Sequence, residues 1–301
     1  VVASQTVSKD LSQLHFTFSV RASDQESPNT AIIRVYNLKA STTAEIIREF
    51  TTVIVQAGYQ GQLATVFQGT IKQFKYGREK NVDNFLEIHA ADGDELYNFG
   101  VVNMTLKAGT TYADRFNAIC TALGAPKDPN AVGYLQATGG ILARGKVLFG
   151  LARSYLRDMA KSSGSRWSIQ NGQLTFIPLT GYLPGDVVVI NSDTGMIGVP
   201  EATDQGVEVR VLMNPLIIVG QRVQINSADI VRTTILEQGY PNYTSLSYIA
   251  SIPPGNGIYR VLVAEHDGDT RANEWYTRVT CVSIDPSAQQ ESAVLAYGGA
   301  A

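Results

Sequence analysis

The chain has 301 residues, 44% of them apolar, and a formal net charge of −3 at pH 7. That length sets a prior of about two domains and allows a real core without metal or disulfide staples, and the apolar content excludes wholesale disorder. Charged residues make up 17%, below the roughly 25% usual for soluble domains; this points to a surface covered by other subunits, because interface cores are depleted in charge, and the weak negative balance offers no electrostatic footprint for phosphates. Cys120 and Cys281, the two cysteines, make neither a disulfide framework nor a four-thiolate zinc site, so synthesis in a reducing cytoplasm is expected. The uncharged stretch 238–259 is long enough to cross a bilayer, but Pro241, Pro253, Pro254 and its hydroxyl and amide side chains read as a loop. The opening residues carry no basic-then-apolar export signal.

Strands dominate the first hundred residues. Apolar and polar residues alternate from Leu14 to Arg21, the period of a half-buried strand. A turn-rich stretch, 23–29, precedes the run Ala31 to Tyr36. Thr42 and Glu45 have the spacing of a capping box and predict a helix that ends by Thr51. Strand runs follow at 53–58, 65–74 and 84–90. From Thr110 to Leu123 the period becomes helical, through Phe116, Ile119, Cys120 and Leu123, and Gly124-Ala125-Pro126 stops it. Residues 146–161 are expected to form a second helix, with an apolar stripe from Val147 to Met159 and Arg153, Arg157 and Lys161 on a separate, solvated face. Asn171-Gly172 between two β-rich runs predicts a tight hairpin. Strands resume at 187–190, 206–212, 216–225, 257–265 and 275–284, and the small, polar tail 286–301 reads as mobile or docked on a neighbour.

Two of these regions resemble each other. The run Val66 to Phe74, a polar turn and Phe85 to His89 match Ile258 to His266, a polar turn and Tyr276 to Thr280 in strand and turn length, at an offset of 192 residues. The expected organisation is a β module at 1–106, a small α/β insert with two helices and a hairpin at 107–180, and a second β module with a C-terminal tail at 181–301, an arrangement that fits internal duplication.

Chemical motifs are weak. Gly140 to Lys146 follows a phosphate loop through its lysine, but Val147 stands where a magnesium-binding hydroxyl is needed and no apolar strand leads in. His266-Asp267-Gly268-Asp269 and Asp92-Gly93-Asp94 gather carboxylates that suit a divalent cation, yet lack the further ligands of a calcium loop, and Asp-Gly is a common turn. His15, His89 and His266 do not cluster in sequence. No catalytic residue, cofactor or metal site is implied, and an enzyme is not supported. The long connection bearing Tyr240, Tyr243 and Tyr248 suits recognition or assembly, because tyrosine gives contact area at low entropy cost. With Arg153, Arg157 and Lys161 it supplies the candidate interface residues.

Several segments together resemble tail baseplate hub proteins of contractile-tailed and Mu-like bacteriophages. They are Ser27 to Leu38, Val55 to Tyr59 with Phe67 to Ile71, Thr194 to Pro200 with Gly206-Val207 and Leu212 to Pro215, and Tyr259 to Asp269 with Trp275-Tyr276. The resemblance implies a mainly β (α+β) chain with two tail-tube-like β-barrel modules flanking the insert. It further implies a homotrimer whose six modules dock under a sixfold tail tube. A central spike or tip protein and other baseplate proteins would be its partners, in a virion tail assembled in the bacterial cytoplasm, with DNA only in transit. A tail-associated carbohydrate-binding or peptidoglycan-cleaving protein is the alternative.

Overall fold

The structure is a computed structural model that describes residues 1–3, 8–59, 61–79, 82–128, 135, 140–203, 206–226, 231–232 and 256–284. The expected tyrosine-rich connection and the tail 286–301 lie outside the described residues. The first third contributes β1 (Val2–Ala3), β2 (Ser8–Lys9), β3 (Phe16–Ser23), β4 (Thr30–Tyr36), α1 (Ala40–Glu49), β5 (Thr52–Ala57), β6 (Ala64–Glu79) and β7 (Asp83–Ala91). The alternation read at 14–21 becomes β3, with Phe18 and Val20 buried. Helix α1 starts earlier than expected: its N-cap is Lys39 without a side-chain cap bond, so Thr42 and Glu45 lie inside the first turns. The capping box of the described chain is at Thr111 and Asp114, each side chain serving the other's backbone N–H.

The last third contributes β12 (Val188–Ile190), β13 (Met196–Thr203), β14 (Gly206–Leu212), β15 (Arg222–Asn226), β16 (Val231–Arg232), β17 (Asn256–Asp269) and β18 (Trp275–Ser283). Fourteen strands from the two thirds join one sheet, ordered β16-β13-β14-β18-β17-β3-β4-β7-β6-β5-β1-β2, with β15 on β17 and β12 on β15. The fold is therefore mainly β. Among the described residues the path runs from β16 to β2 without closing, so the expected pair of closed barrels takes the form of one open, mostly antiparallel sheet. The second half of β17 pairs with β3, which fuses the two sets of strands into that one sheet.

Within that path one strand order occurs twice. The first third runs β3-β4-β7-β6-β5 and the last third β13-β14-β18-β17-β15, every neighbouring pair antiparallel. The registers agree in detail. The β6–β7 ladder shifts between Ile71 and Gln73, the β17–β18 ladder between Val261 and Val263. Ile71 N–H donates to Thr51 O and Val261 N–H to Gln221 O. Thr70 faces Thr52 as Arg260 faces Arg222. These correspondences set the offset between β6 and β17 at 190 residues, two fewer than strand lengths alone suggest, because the extra residue of each bulge fixes the register. Each set has its own buried cluster, one built on Val20, Ile33, Val55, Phe67, Leu86 and Ile88, the other on Val209, Val223, Ile225, Val261 and Val279.

Between them lie α2 (Asp94–Phe99), β8 (Val101–Leu106), α3 (Tyr112–Leu123), β9 (Lys146–Leu151), α4 (Ala152–Ser163), β10 (Ser165–Gln170) and β11 (Gln173–Pro178). Residues 146–151, expected as helix, form a strand paired with β8: Val147, Leu148 and Phe149 suit a pleated ladder, and Gly150 takes φ 136°, which a helix forbids. The α4 helix then begins at Ala152. The hairpin β10–β11 turns at Asn171 and Gly172, both with positive φ, as its sequence requires. Phe116, Leu148, Leu156, Trp167 and Phe176 make a third buried cluster, which also takes in Val102 and Leu106 of β8.

Candidate functional site

The buried charge of this chain is concentrated where its three parts meet. Asp24, in the turn after β3, has one carboxylate oxygen 2.8 Å from Nη1 of Arg166 on β10 and the other 3.1 Å from Nη2 of Arg260 on β17. One carboxylate thus ties the first set of strands to the insert and to the last set. Arg260 is 1% exposed, and its Nη1 donates to the carbonyls of Pro178 and Gly181 at 2.7 and 3.0 Å. Such a buried cation is tolerable only with its partners in place. The same turn makes further links. Asn29 donates to Ile169 O and Gln170 Oε1, and Gln170 Nε2 donates to Ser23 O. Asp92 accepts from Gly172 N–H at 2.8 Å, which fixes the tip of the β10–β11 hairpin.

A cavity of about 400 Å³ lies at this junction, lined among others by Asn29, Asp92, Asp128, Gln170, Ile217 and His266. Its two perturbed groups are opposite in kind. Burial pushes the Asp92 carboxyl up to about 6, against the pull of the Gly172 and Asn171 N–H groups. Burial lowers His266 to about 4, and its Nδ1 lies 2.9 Å from Thr277 Oγ1. Both groups are therefore held toward their neutral forms by desolvation. Among the described residues no group of three or more His, Cys, Asp or Glu side chains is arranged to hold a metal ion.

The sequence-derived candidates separate. Arg157 does not face solvent alone: Glu26 accepts from its Nε at 3.0 Å and its Nη2 at 2.6 Å, and also from Trp167 Nε1. Arg153 lies over the Tyr97 ring, 4.9 Å from its centroid. With Lys161, Arg157 lines a second cleft, of about 520 Å³, beside Asp24, Glu26 and Trp167. Helical spacing revealed the stripe but not its partner, since Glu26 is 131 residues away. Tyr240, Tyr243 and Tyr248 lie outside the described residues. The carboxylate motifs have local roles. Asp92-Gly93-Asp94 turns the chain into α2, with Gly93 at φ 65° and Asp94 paired with Lys72. Asp267 and Gly268 belong to β17 instead of a turn; the turn follows Asp269, whose Oδ1 accepts from Arg271 and Ala272 N–H and meets His15 Nε2 at 2.9 Å.

Two surface features were not anticipated. The outer face of the β8–β9 pair exposes Val101, Val147 and Phe149, with Phe99 beside it. The outer edge of β6 beyond Ile71 has no paired strand among the described residues. The short apolar run Val147-Leu148-Phe149 before Gly150, taken up into the helical reading, was the available signal for the first.

No family model and no curated protein matches the sequence. Solved structures do match it. The 43 kDa tail protein of prophage MuSo2 from Shewanella oneidensis is similar over 91% of this chain and 94% of its own, with a TM-score of 0.54 at 7% identity. A tail protein from Neisseria meningitidis MC58 is similar over 90% of this chain and 96% of its own, with a TM-score of 0.52 at 9% identity. At such identities the likeness is one of fold.

Proposed function

We propose that this chain, which has the fold of these two tail proteins, is a structural, non-enzymatic hub of a phage-type tail. It assembles as a homotrimer and joins a sixfold tail tube to a threefold central spike or tip protein, within a virion baseplate. The single observation that carries the reading is the repeated strand order with its shared bulge register. A chain holding the same module twice, nominally in 1–106 and 181–301 on either side of the 107–180 insert, gives three copies six similar units, and so matches threefold to sixfold symmetry. The buried Arg166–Asp24–Arg260 junction supports it further, because it sets the two modules at a defined angle, as a ring requires. The low charge fits a subunit covered by neighbours, and a net charge of −3 suits a lumen through which DNA passes without binding. The exposed apolar face of β8–β9, the cleft of Arg157 and Lys161, Arg153 over the Tyr97 ring, and the Tyr240, Tyr243 and Tyr248 connection are the proposed contacts with other baseplate proteins.

The test is the mass of the purified chain in solution, by light scattering and native mass spectrometry over a wide concentration range. Three copies in a ring are expected. A strict monomer that also fails to bind a tail tube protein overturns the reading.

A further inference from the structure

We propose that residues 75–79 of β6 pair antiparallel with β13 of a second copy of this chain, in the register that β17 and β3 use within one chain. The proposal rests on the ring reading above and names the joint that closes it.

The structure contains one such joint already. The outer edge of β17 has two partners: β15 along its first half and β3 along its second, from Val263 opposite Ser23 to Asp269 opposite Thr17. Its counterpart β6 pairs with β5 along its first half, Ala64 to Thr70. Beyond the bulge, among the described residues, that edge of β6 pairs with nothing. The burial follows the pairing. Ala264, His266 and Gly268 are buried, whereas the equivalent Phe74, Tyr76 and Arg78 are half-buried, exposed and exposed. An aromatic-bearing strand edge with free backbone groups is a template for another strand.

The complementary edge is that of β13, the counterpart of β3. It carries only a two-residue parallel contact with β16, at Glu201 and Ala202, and it exposes Ile197 and Val199. So short a parallel ladder is a weak cover, and the joint replaces it. The register follows from the repeat. Ala31 faces Ala90 and Val20, while Val207 faces Cys281 and Ala202, and the bulge register makes Ala90 and Cys281 equivalent, so Val20 and Ala202 are equivalent. The contact of His266 with Val20 then becomes Tyr76 with Ala202 of the second copy, that of Glu265 with Arg21 becomes Lys75 with Thr203, and Glu201 comes opposite Gly77, with Lys75 on the adjacent diagonal. The free half of β6 carries Lys75, Arg78 and Glu79, the last paired with Arg34 of its own chain, while Glu201 is the one charged residue of β13. Within the chain the same joint carries an Arg21–Glu265 pair at 3.3 Å. Because the two edges are different surfaces, the contact is head-to-tail and closes a ring.

Chains carrying Lys75→Cys and Thr203→Cys are co-expressed and mildly oxidised. Opposed residues of an antiparallel pair have Cα atoms about 4.5–5.5 Å apart, within disulfide reach, and the native Cys120 and Cys281 are buried. A covalent dimer is expected from the co-expressed pair and from neither variant alone; Tyr76→Cys with Ala202→Cys tests the neighbouring rung. Three-copy particles that yield no covalent dimer from either pair overturn the edge pairing and leave the ring reading standing. A chain that stays monomeric overturns both.

Discussion

Substituting Asp24→Asn tests whether the three-part junction holds the molecule together. The change keeps the size of the side chain and removes its charge, so two arginines lose their counter-ion at once. The consequences differ by burial. The Arg166 side chain is 15% exposed and can turn toward water, so its loss is about 1 kcal/mol, as for exposed pairs. Arg260 is 1% exposed and stays a buried cation without the Asp24 carboxylate, and breaking such a buried pair costs about 3–5 kcal/mol. Its bonds to the Pro178 and Gly181 carbonyls survive the change and soften the loss, so the net expectation is about 3 kcal/mol. Urea unfolding followed by fluorescence is a suitable assay, since Trp167 donates to Glu26 in the same junction and Trp275 packs edge-on against Phe18. Arg260→Met and the double variant complete a cycle. The double variant is expected to be more stable than Asp24→Asn alone, with a coupling of at least about 1.5 kcal/mol. A loss below about 1 kcal/mol for Asp24→Asn, or a coupling near zero, would show that the triad does not carry the junction.

The cavity groups give a pH dependence with opposing parts. Asp92 is raised to about 6 from 3.8, so its contribution to stability is full below about pH 4 and is lost as the pH rises through about 6. His266 is lowered to about 4 from 6.5, so its contribution is present above about pH 6.5 and is lost as the pH falls through about 4. Each amounts to about 3 kcal/mol, and over pH 4–6.5 they largely cancel. Asp92→Asn is therefore expected to steepen the loss of stability on acidification, and His266→Gln to reverse it; thermal unfolding across that range checks both, and parallel profiles for all three proteins would refute the assignment. Burial raises the Cys120 thiol to about 11 and the Cys281 thiol further still. A thiol reagent at pH 8 should label neither in the folded protein and both in denaturant, and rapid labelling of the native chain would contradict their burial. Gly206 sits at φ 133°, and a Cβ there would lie 2.2 Å from the carbonyl oxygen of Cys281, so Gly206→Ala should cost about 1–3 kcal/mol; an unchanged unfolding midpoint would argue against the close approach of β14 to β18.

Much of the local structure is legible in the residues themselves. Alternation at 14–21, helical spacing at 112–123 and Asn171-Gly172 each matched the element observed, because hydrophobic period and left-handed turn preference act over a few neighbours. The helical reading of 146–151 failed for a reason of the same scale. An apolar run without strict alternation suits either state, and its pairing with β8, more than 40 residues earlier in the chain, chose the strand. The repeat was visible as matching lengths, but its offset of 190 needed the bulges at Lys72 and Leu262, which only strand pairing reveals.

The amino-acid order by itself determined where most of the strands, helices and turns form, that the chain is poor in charge, and that its opening and closing thirds resemble one another. Tertiary structure alone decided that Asp24 holds Arg166 and Arg260, that Arg157 answers to Glu26, and that β17 reaches across to β3 and joins the two sets of strands in one sheet. The physical reason is range. Propensity and periodicity are written into neighbouring residues, whereas ion pairs and ladders join positions up to 236 residues apart, which become neighbours only when the whole chain has folded.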